Sequence, residues 1–194
     1  MADKNSEKMV VLVDEHDNKM GVEEKMKAHQ DGGMLHRAIS IIVLNPKGQM
    51  MLQRRSDAKY HSAGLWANTC CSHPTDGESV IAAAHRRLKQ EMGFDCEMDE
   101  AFTFIYHTYV GKGLTEWEFD HVLLGMYDGE PKPNPEEVKE WKWASLEWVK
   151  DDMGKNKDSY AEWFKILMTD ASVAGKLARS VKKFLDDKRV STSL

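Results

Sequence analysis

The residues best suited to chemistry are concentrated between positions 71 and 91. Cys71 supplies a thiol and His73 an imidazole, and Arg87 and Glu91 follow at positions one helical turn apart. Such groups serve enzymes in proton transfer and in the binding of anions. This density of reactive side chains exceeds what core packing requires, and it predicts a functional site.

A second set of residues has the composition of a metal site. His29 and His36 flank a Gly-Gly pair, and Glu116 and Glu118 alternate along a predicted strand, so that their side chains share one face. With His73, three histidines and two carboxylates would bind Mn²⁺, Zn²⁺ or Mg²⁺, and imidazole favours the first two. No short fixed spacing imposes this arrangement. The alternative of surface histidines and a solvated acidic strand face therefore stays open from spacing alone.

Two of these features also have an ordinary structural interpretation. Cys71 could be a small buried apolar residue like its neighbour Cys70, instead of a thiol that a helix N-terminus activates for proton exchange. Arg87 and Glu91 could form a plain helix ion pair. The spacing of the residues leaves both interpretations open.

Length and composition bound the class of protein. The 194 residues allow one well-buried core, and 41% apolar with 30% charged residues is typical of a globular domain. A net charge of −5 argues against a nucleic-acid-binding protein, and no apolar run is long enough to predict a membrane span. Three cysteines, two of them adjacent, and a polar N-terminus favour free thiols and a cytoplasmic location. No Gly-x-Gly-x-x-Gly motif follows a strand, so no flavin is expected.

Hydrophobic patterns indicate the elements that must position these residues. Strands are predicted as a hairpin over 8–13 and 20–23, and then over 38–45, 49–53, 101–110, 116–127 and 141–144. A central helix is predicted to begin near Asp76, within a Thr75–Glu78 capping box, and to end at Gly93. Two further helices are predicted over 145–153 and 158–187, the second broken near 174–175. The pattern predicts an α/β fold, a mixed sheet flanked by helices in a single compact domain over 9–190, after a flexible N-terminus over 1–8.

The segment 72–94 resembles a Nudix box, a helical motif that binds metal and diphosphate. Glu78 and Glu91 stand at expected positions, whereas Arg87 and Gln90 replace glutamates that Nudix hydrolases carry. Hydrolysis requires several carboxylates to hold metal ions and activate water. The altered box therefore predicts a site that binds a diphosphate but is poorly equipped to cleave it.

That box and three shorter motifs together resemble the type 1 isopentenyl-diphosphate delta-isomerase family over most of the chain. The motifs are His-Arg-Ala-x-Ser at 36–40, Asn-Thr-x-Cys-x-His-Pro at 68–74 and Glu-x-Glu at 116–118. The resemblance implies a Nudix-like fold and the isomerisation of isopentenyl diphosphate to dimethylallyl diphosphate in isoprenoid biosynthesis. It also implies a small-molecule partner only, with no nucleic acid and no membrane, in a monomer or a weak homodimer.

The resemblance assigns roles to residues of this chain. It implies that Cys71 and Glu116 are catalytic, with Tyr106 beside Glu116 and Trp163 facing the hydrocarbon end. A tightly bound divalent metal, Mn²⁺, Zn²⁺ or Mg²⁺, would be held by His29, His36, His73, Glu116 and Glu118. Glu91 and the backbone carbonyl of Cys71 would bind a Mg²⁺ that arrives with the substrate. The diphosphate would be surrounded by Lys25, Arg55, Lys59 and Arg87.

The implied chemistry moves a double bond through a tertiary carbocation, with one group adding a proton and another removing one on the opposite face. Two other functions stay open from the residues. One is a Nudix hydrolase of nucleoside or prenyl diphosphates, which would release phosphate products. The other is a metal-stabilised module without catalysis, which would unfold on metal removal and bind no diphosphate.

Overall fold

A computed structural model describes residues 8–191, with side chains up to residue 189. The flexible N-terminus expected over 1–8 therefore lies outside the described residues, apart from Lys8. The expected mixed sheet with flanking helices is confirmed. No helix of the described part combines the length and the apolar character that crossing a membrane requires.

One nine-stranded sheet organises the described chain. Its strands are β1 Met9–Val13, β2 Lys19–Glu24, β3 His36–Leu44, β4 Met50–Arg55, β5 Trp66–Ala67, β6 Cys70–Ser72, β7 Met98–Gly111, β8 Leu114–Met126 and β9 Val138–Ala144. The helices are α1 Lys25–Ala28, α2 Val80–Met92, α3 Leu146–Lys155, α4 Glu162–Thr169 and α5 Ala171–Ser191, with a 3-10 turn over Lys157–Ser159.

Strand β3 lies at the centre of the sheet, and both of its faces are covered. Ile39 and Ile41 pack into a cluster with α2, and Ile42 and Leu44 pack into a second cluster with the C-terminal helices. A strand that is buried on both faces has a continuous apolar sequence, as this strand does after its first residues. Ser40 sits within that run as a buried polar exception.

The register of β3 with its neighbours brings the reactive residues together. Strand β8 runs parallel to β3 and places Glu118 opposite His36. The short strand β6 runs antiparallel to β3 on its other side and places Cys71 opposite Ser40. Residues that are far apart in sequence therefore meet across one strand.

The central helix begins at Val80, four residues later than expected. Gly77 has a left-handed φ of 78°, which ends any helical path through Asp76, and Ser79 accepts a hydrogen bond from the backbone N–H of Ala82 as the N-cap. The predicted Thr75–Glu78 contact does form, but it closes a turn before the helix. The predicted C-cap at Gly93 is confirmed, with φ 73°.

The C-terminal helices are divided at Asp170 and not near 174–175 as predicted. Asp170 has an extended backbone, and its carboxylate accepts hydrogen bonds from the backbone N–H groups of Ser172 and Val173. An aspartate that caps a new helix interrupts the chain more effectively than Gly175, which stays inside α5.

Candidate active site

Polar side chains converge on one cavity of about 440 Å³ at the ends of β3, β4, β6 and β8. The predicted site residues that line it are Lys25, Arg55, Lys59, Cys71, His73, Arg87, Glu91, Tyr106, Glu116, Glu118 and Trp163. The other two predicted residues, His29 and His36, are fully buried and lie close to Glu118. The structure therefore assembles the whole predicted set around one space.

Three histidines surround one carboxylate beside this cavity. The Oε1 atom of Glu118 lies 3.0 Å from His73 Nε2, 3.4 Å from His36 Nε2 and 4.0 Å from His29 Nε2. One ligand atom from each of the four residues lies within 4.8 Å of the other three. These residues come from the end of α1, where His29 is the C-cap, from β3 and β8, and from the chain after β6, so only the tertiary fold brings them together.

The orientation of two rings fits them for a metal ion. His29 Nδ1 lies 2.7 Å from the Lys25 carbonyl oxygen, and His36 Nδ1 lies 2.7 Å from the Met34 carbonyl oxygen. A carbonyl only accepts, so each Nδ1 carries a proton, which leaves Nε2, on the side facing Glu118, as the nitrogen that could bind a metal ion. His29 Nε2 is buried without a hydrogen-bond partner among the described residues. An unpaired imidazole nitrogen beside two further imidazoles and a carboxylate fits a divalent metal ion.

Electrostatics in the group support the same fit. Burial lowers the pKa of His29, and it lowers the pKa of His73 to about 3, so both imidazoles are neutral. Burial would raise the pKa of Glu118, but the neighbouring His36 and His73 side chains outweigh it and hold that pKa well below its ordinary value. Neutral imidazoles around an ionised carboxylate are the protonation states that metal binding requires.

Metal binding should stabilise the fold. If a chelator-stripped sample is given Mn²⁺ or Zn²⁺ at about 100 times Kd, binding to the folded state should raise the free energy of unfolding by about 2.7 kcal/mol. For a domain of this size that corresponds to a rise in Tm of about 5–10 °C. His36→Ala should abolish the rise in a thermal melt, whereas the control His85→Ala, in a ring that pairs with Asp95 outside the group, should keep it. Equal shifts in both variants would contradict this site.

Glu116 was also expected to bind this metal, but it is not in the group of four. Its Oε2 atom lies 3.0 Å from the Tyr106 hydroxyl, which is also 2.5 Å from Glu118 Oε2. Burial first, and then the negative charge of Glu118, raise the pKa of Glu116 well above its ordinary value. This environment favours the protonated form of Glu116, and its coordination of a metal stays a prediction.

Cys71 also keeps its proton. Its thiol donates to the Asn68 side-chain oxygen at 3.1 Å and lies 3.7 Å from Ser40 Oγ. Burial and then the nearby Asp120 raise the pKa of Cys71 above its ordinary value. Of the two interpretations left open for Cys71, activation by a helix N-terminus has no support here, because α2 begins at Val80 and burial dominates.

An aromatic wall closes the interior of the cavity. The Trp163 indole N–H donates to Asn68 Oδ1 at 3.2 Å, and the Arg55 guanidinium lies 5.0 Å from the centre of the Trp163 ring. His61 meets that ring edge-on, with its Nε2 3.6 Å from Glu116 Oε1. Sequence reasoning missed His61, since it lies in a polar loop where no motif or periodicity marks it.

Another part of the cavity is cationic. Four of its basic side chains are the predicted Lys25, Arg55, Lys59 and Arg87, and Arg86 also lines the cavity. Burial, and then the neighbouring Arg87, Lys59 and Arg55, lower the pKa of Lys25 to about 8. Arg55 Nε is buried without a hydrogen-bond partner among the described residues. A gathering of cations with an unsatisfied donor is suited to a multiply charged anion.

Glu91 lies within this cationic part. Its Oε1 accepts from Arg87 at 2.5 Å and its Oε2 accepts from Gln53 at 3.1 Å. The plain helix ion pair between Arg87 and Glu91 therefore exists, but it is buried beside the cavity and not solvated on a surface. Coordination of Mg²⁺ by Glu91 stays a prediction.

Comparisons with known proteins agree with this geometry. The chain matches the NUDIX domain family over residues 34–164. It is 54% identical over 157 residues to Isopentenyl-diphosphate Delta-isomerase 2 of Aromatoleum aromaticum, covering 81% of this chain and 82% of that protein. It is 44% identical to Isopentenyl-diphosphate Delta-isomerase of Serratia proteamaculans, covering 84% of this chain and 91% of that protein.

Structural similarity extends to proteins of much lower identity. The crystal structure of DR0079 from Deinococcus radiodurans superposes with a TM-score of 0.67 at 18% identity, covering 82% of this chain and 94% of that one. A MutT protein from Methanosarcina mazei gives a TM-score of 0.51 at 20% identity, covering 63% and 93%. At these identities the likeness shows the fold alone.

Proposed function

Because the chain belongs to the isopentenyl-diphosphate Delta-isomerases of the NUDIX family, we propose that it moves the double bond of isopentenyl diphosphate through Cys71 and Glu116. The chain is an isomerase that acts on a small diphosphate and produces dimethylallyl diphosphate. One observation carries the proposed residue roles: a half-buried thiol and a buried carboxyl, each with its pKa held above the ordinary value, line one cavity that has a cationic part.

The cationic side chains would hold the diphosphate. Charge-assisted hydrogen bonds to phosphate oxygens are stronger than those between neutral groups, and arginine binds such oxygens in a fixed geometry. We propose that Arg55 and Arg87 bind in this way, and that Lys25 and Lys59 add positive charge. Mg²⁺ arriving with the substrate would be bound by Glu91 and the Cys71 carbonyl. The substrate is then fixed at its charged end, with its alkene directed toward Cys71.

The proton chemistry requires two groups on opposite faces of the alkene. The protonated member of the Cys71–Glu116 pair gives its proton to the terminal carbon, which creates a tertiary carbocation. The unprotonated member then takes a proton from the neighbouring methylene, so the substrate gains one proton and loses one. Tyr106, which contacts the Glu116 carboxyl, would hold it in position during this exchange.

The tightly bound metal would be held by His29, His36, His73 and Glu118, with Glu116 as the proposed fifth ligand. When bound, such an ion withdraws electron density from a carboxylate ligand and makes its conjugate acid stronger. We propose Mn²⁺, Zn²⁺ or Mg²⁺, since three imidazoles favour the first two and carboxylates accept all three.

Trp163 would stabilise the carbocation. The face of an indole ring is electron-rich and attracts cations, and a ring that is almost fully buried also excludes water, which would trap the intermediate as an alcohol. The hydrogen bond to Asn68 fixes the ring.

Replacing Arg87 with glutamine should raise KM by about 10- to 100-fold, because a charged hydrogen bond to the substrate is worth about 1.5–3 kcal/mol. Steady-state kinetics with isopentenyl diphosphate would measure this change. The matched control is Arg54→Gln, which removes an exposed ion pair with Glu140 outside the cavity and should leave KM unchanged. An unchanged KM in Arg87→Gln would reject the proposed diphosphate contact.

The two alternative functions have less support. A hydrolase needs carboxylates on α2, but the Gln90 side chain accepts a hydrogen bond from Arg87 and supplies no charge. A non-catalytic module does not account for a half-buried thiol and a buried acid that line the same cavity as the cations. The cytoplasmic location and the monomeric or weakly dimeric state stay predictions.

A further inference from the structure

Glu137 lies among the cations that are proposed to bind the diphosphate. It comes directly before β9 and lines the cavity. Its carboxylate forms an ion pair with the Lys59 ammonium, and its Oε2 lies 3.6 Å from Arg87 Nη2. An anionic side chain therefore already occupies part of the surface that an incoming anion would contact.

The backbone holds Glu137 in this place. Its N–H donates to the Asn134 carbonyl, and its own carbonyl accepts from the Ser56 N–H, both at 2.9 Å. The Asn134 N–H in turn donates to the Glu91 carbonyl at 2.9 Å. Glu137 is thus tied both to the end of α2 and to the loop that carries Lys59. Its position is a fixed property of the fold.

We propose that Glu137 is a specificity-determining residue, which makes this cavity select a diphosphate that carries a divalent cation over a metal-free anion. The inference rests on the proposed function, since it takes the cationic part of the cavity as the diphosphate site. Glu137 and Glu91 place two carboxylates beside Arg87. Neither the sequence motifs described above nor any chemical step of the isomerisation accounts for the carboxylate of Glu137.

The physical basis is the sign of the charge that these carboxylates meet. A metal-free diphosphate must approach both of them in a partly buried site, where like charges repel more strongly than in water. A divalent cation bound to the diphosphate presents positive charge to the same carboxylates, and oxygen ligands are the ones that Mg²⁺ prefers. The same two side chains thus penalise the bare anion and favour the metal complex.

A merely structural role makes the opposite prediction. If Glu137 only held Lys59 and Arg87 in place, its removal would loosen both cations and weaken the binding of any diphosphate. The effect would be the same with and without a divalent cation. The two roles therefore predict changes of opposite sign in the affinity for metal-free diphosphate when Glu137 is removed. Only the specificity role predicts that this change depends on the divalent cation.

The test is calorimetric titration of inorganic pyrophosphate into the intact protein and into Glu137→Gln, first without added divalent cation and then with excess Mg²⁺. We expect Glu137→Gln to bind metal-free pyrophosphate about tenfold more tightly, and the Mg²⁺-induced gain in affinity to fall by about the same factor. Glu137→Asp keeps the charge and should keep the native gain. Melting temperatures establish that each variant is folded.

The matched control is Glu140→Gln. It removes a similar carboxylate three residues further on, where Glu140 pairs with Arg54 at 2.7 Å outside the cavity, and it should leave both affinities unchanged. Weaker or unaltered binding by Glu137→Gln, with the Mg²⁺ gain unaltered, would overturn the inference. Absence of pyrophosphate binding by the unaltered protein would instead remove the diphosphate site itself, and with it both the inference and the proposed function.

Discussion

Replacing Cys71 with alanine should lower kcat by about 10²–10⁴-fold, the range that positioned acid–base groups contribute. The thiol is half-buried in the cavity wall and has a raised pKa, so alanine removes one of the two proton-exchanging groups and leaves the other in place. KM should change little, since the cations that would bind the diphosphate are untouched. Steady-state isomerase kinetics would measure both constants.

The adjacent thiol offers a matched control for this variant. Cys70 is fully buried, but it points to the other face of β6 and packs into the apolar cluster under α2. Cys70→Ala should therefore affect the free energy of unfolding and not kcat. A Cys71→Ala enzyme with near-native kcat would contradict a catalytic thiol, whatever Cys70→Ala does.

Replacing Glu116 with glutamine should lower kcat by a similar factor of about 10²–10⁴, because the amide has nearly the shape of the acid but no proton to give. A metal-dependent rise in Tm should persist in this variant, although reduced, because the group of four ligand residues remains when the proposed fifth ligand is altered. Glu118→Gln should lose both turnover and the rise in Tm, since Glu118 is the carboxylate that the three histidines surround.

Turnover and the metal-dependent rise in Tm together identify which of the two glutamates exchanges the proton. Near-native turnover in Glu116→Gln would contradict its role, and a Glu118→Gln enzyme that keeps the metal but loses turnover would transfer that role to Glu118. Tyr106 contacts both carboxyls, so kinetic data alone would not separate them. The thermal shift is the readout that does.

Much of the fold was predictable because local patterns and tertiary packing agree. The apolar run of β3, the alternation of Glu116 and Glu118 on β8, and Gly93 as a left-handed C-cap each express a rule that acts over a few residues. The helix boundaries were less predictable, because a Ser79 cap after Gly77 and an Asp170 cap compete with equally plausible signals nearby.

The residues of the site likewise divide into those that short motifs predict and those that only the folded chain reveals. Motifs identified Cys71 and His73, because the spacing of a short segment carries that information. His61 and Glu137 belong to loops, and only the folded chain brings them to the cavity. The protonated state of Cys71 was also beyond sequence reasoning, since it depends on burial and on Asp120, which lies on another strand.

The central claim is that a thiol and a carboxyl add and remove protons on one alkene. The most direct measurement incubates the protein with Mg²⁺ and isopentenyl diphosphate in D₂O and follows the product by NMR. The proposal predicts dimethylallyl diphosphate that carries deuterium in a methyl group, no released phosphate, and no such product from Cys71→Ala. Product without deuterium, or phosphate release in place of isomerisation, would contradict it.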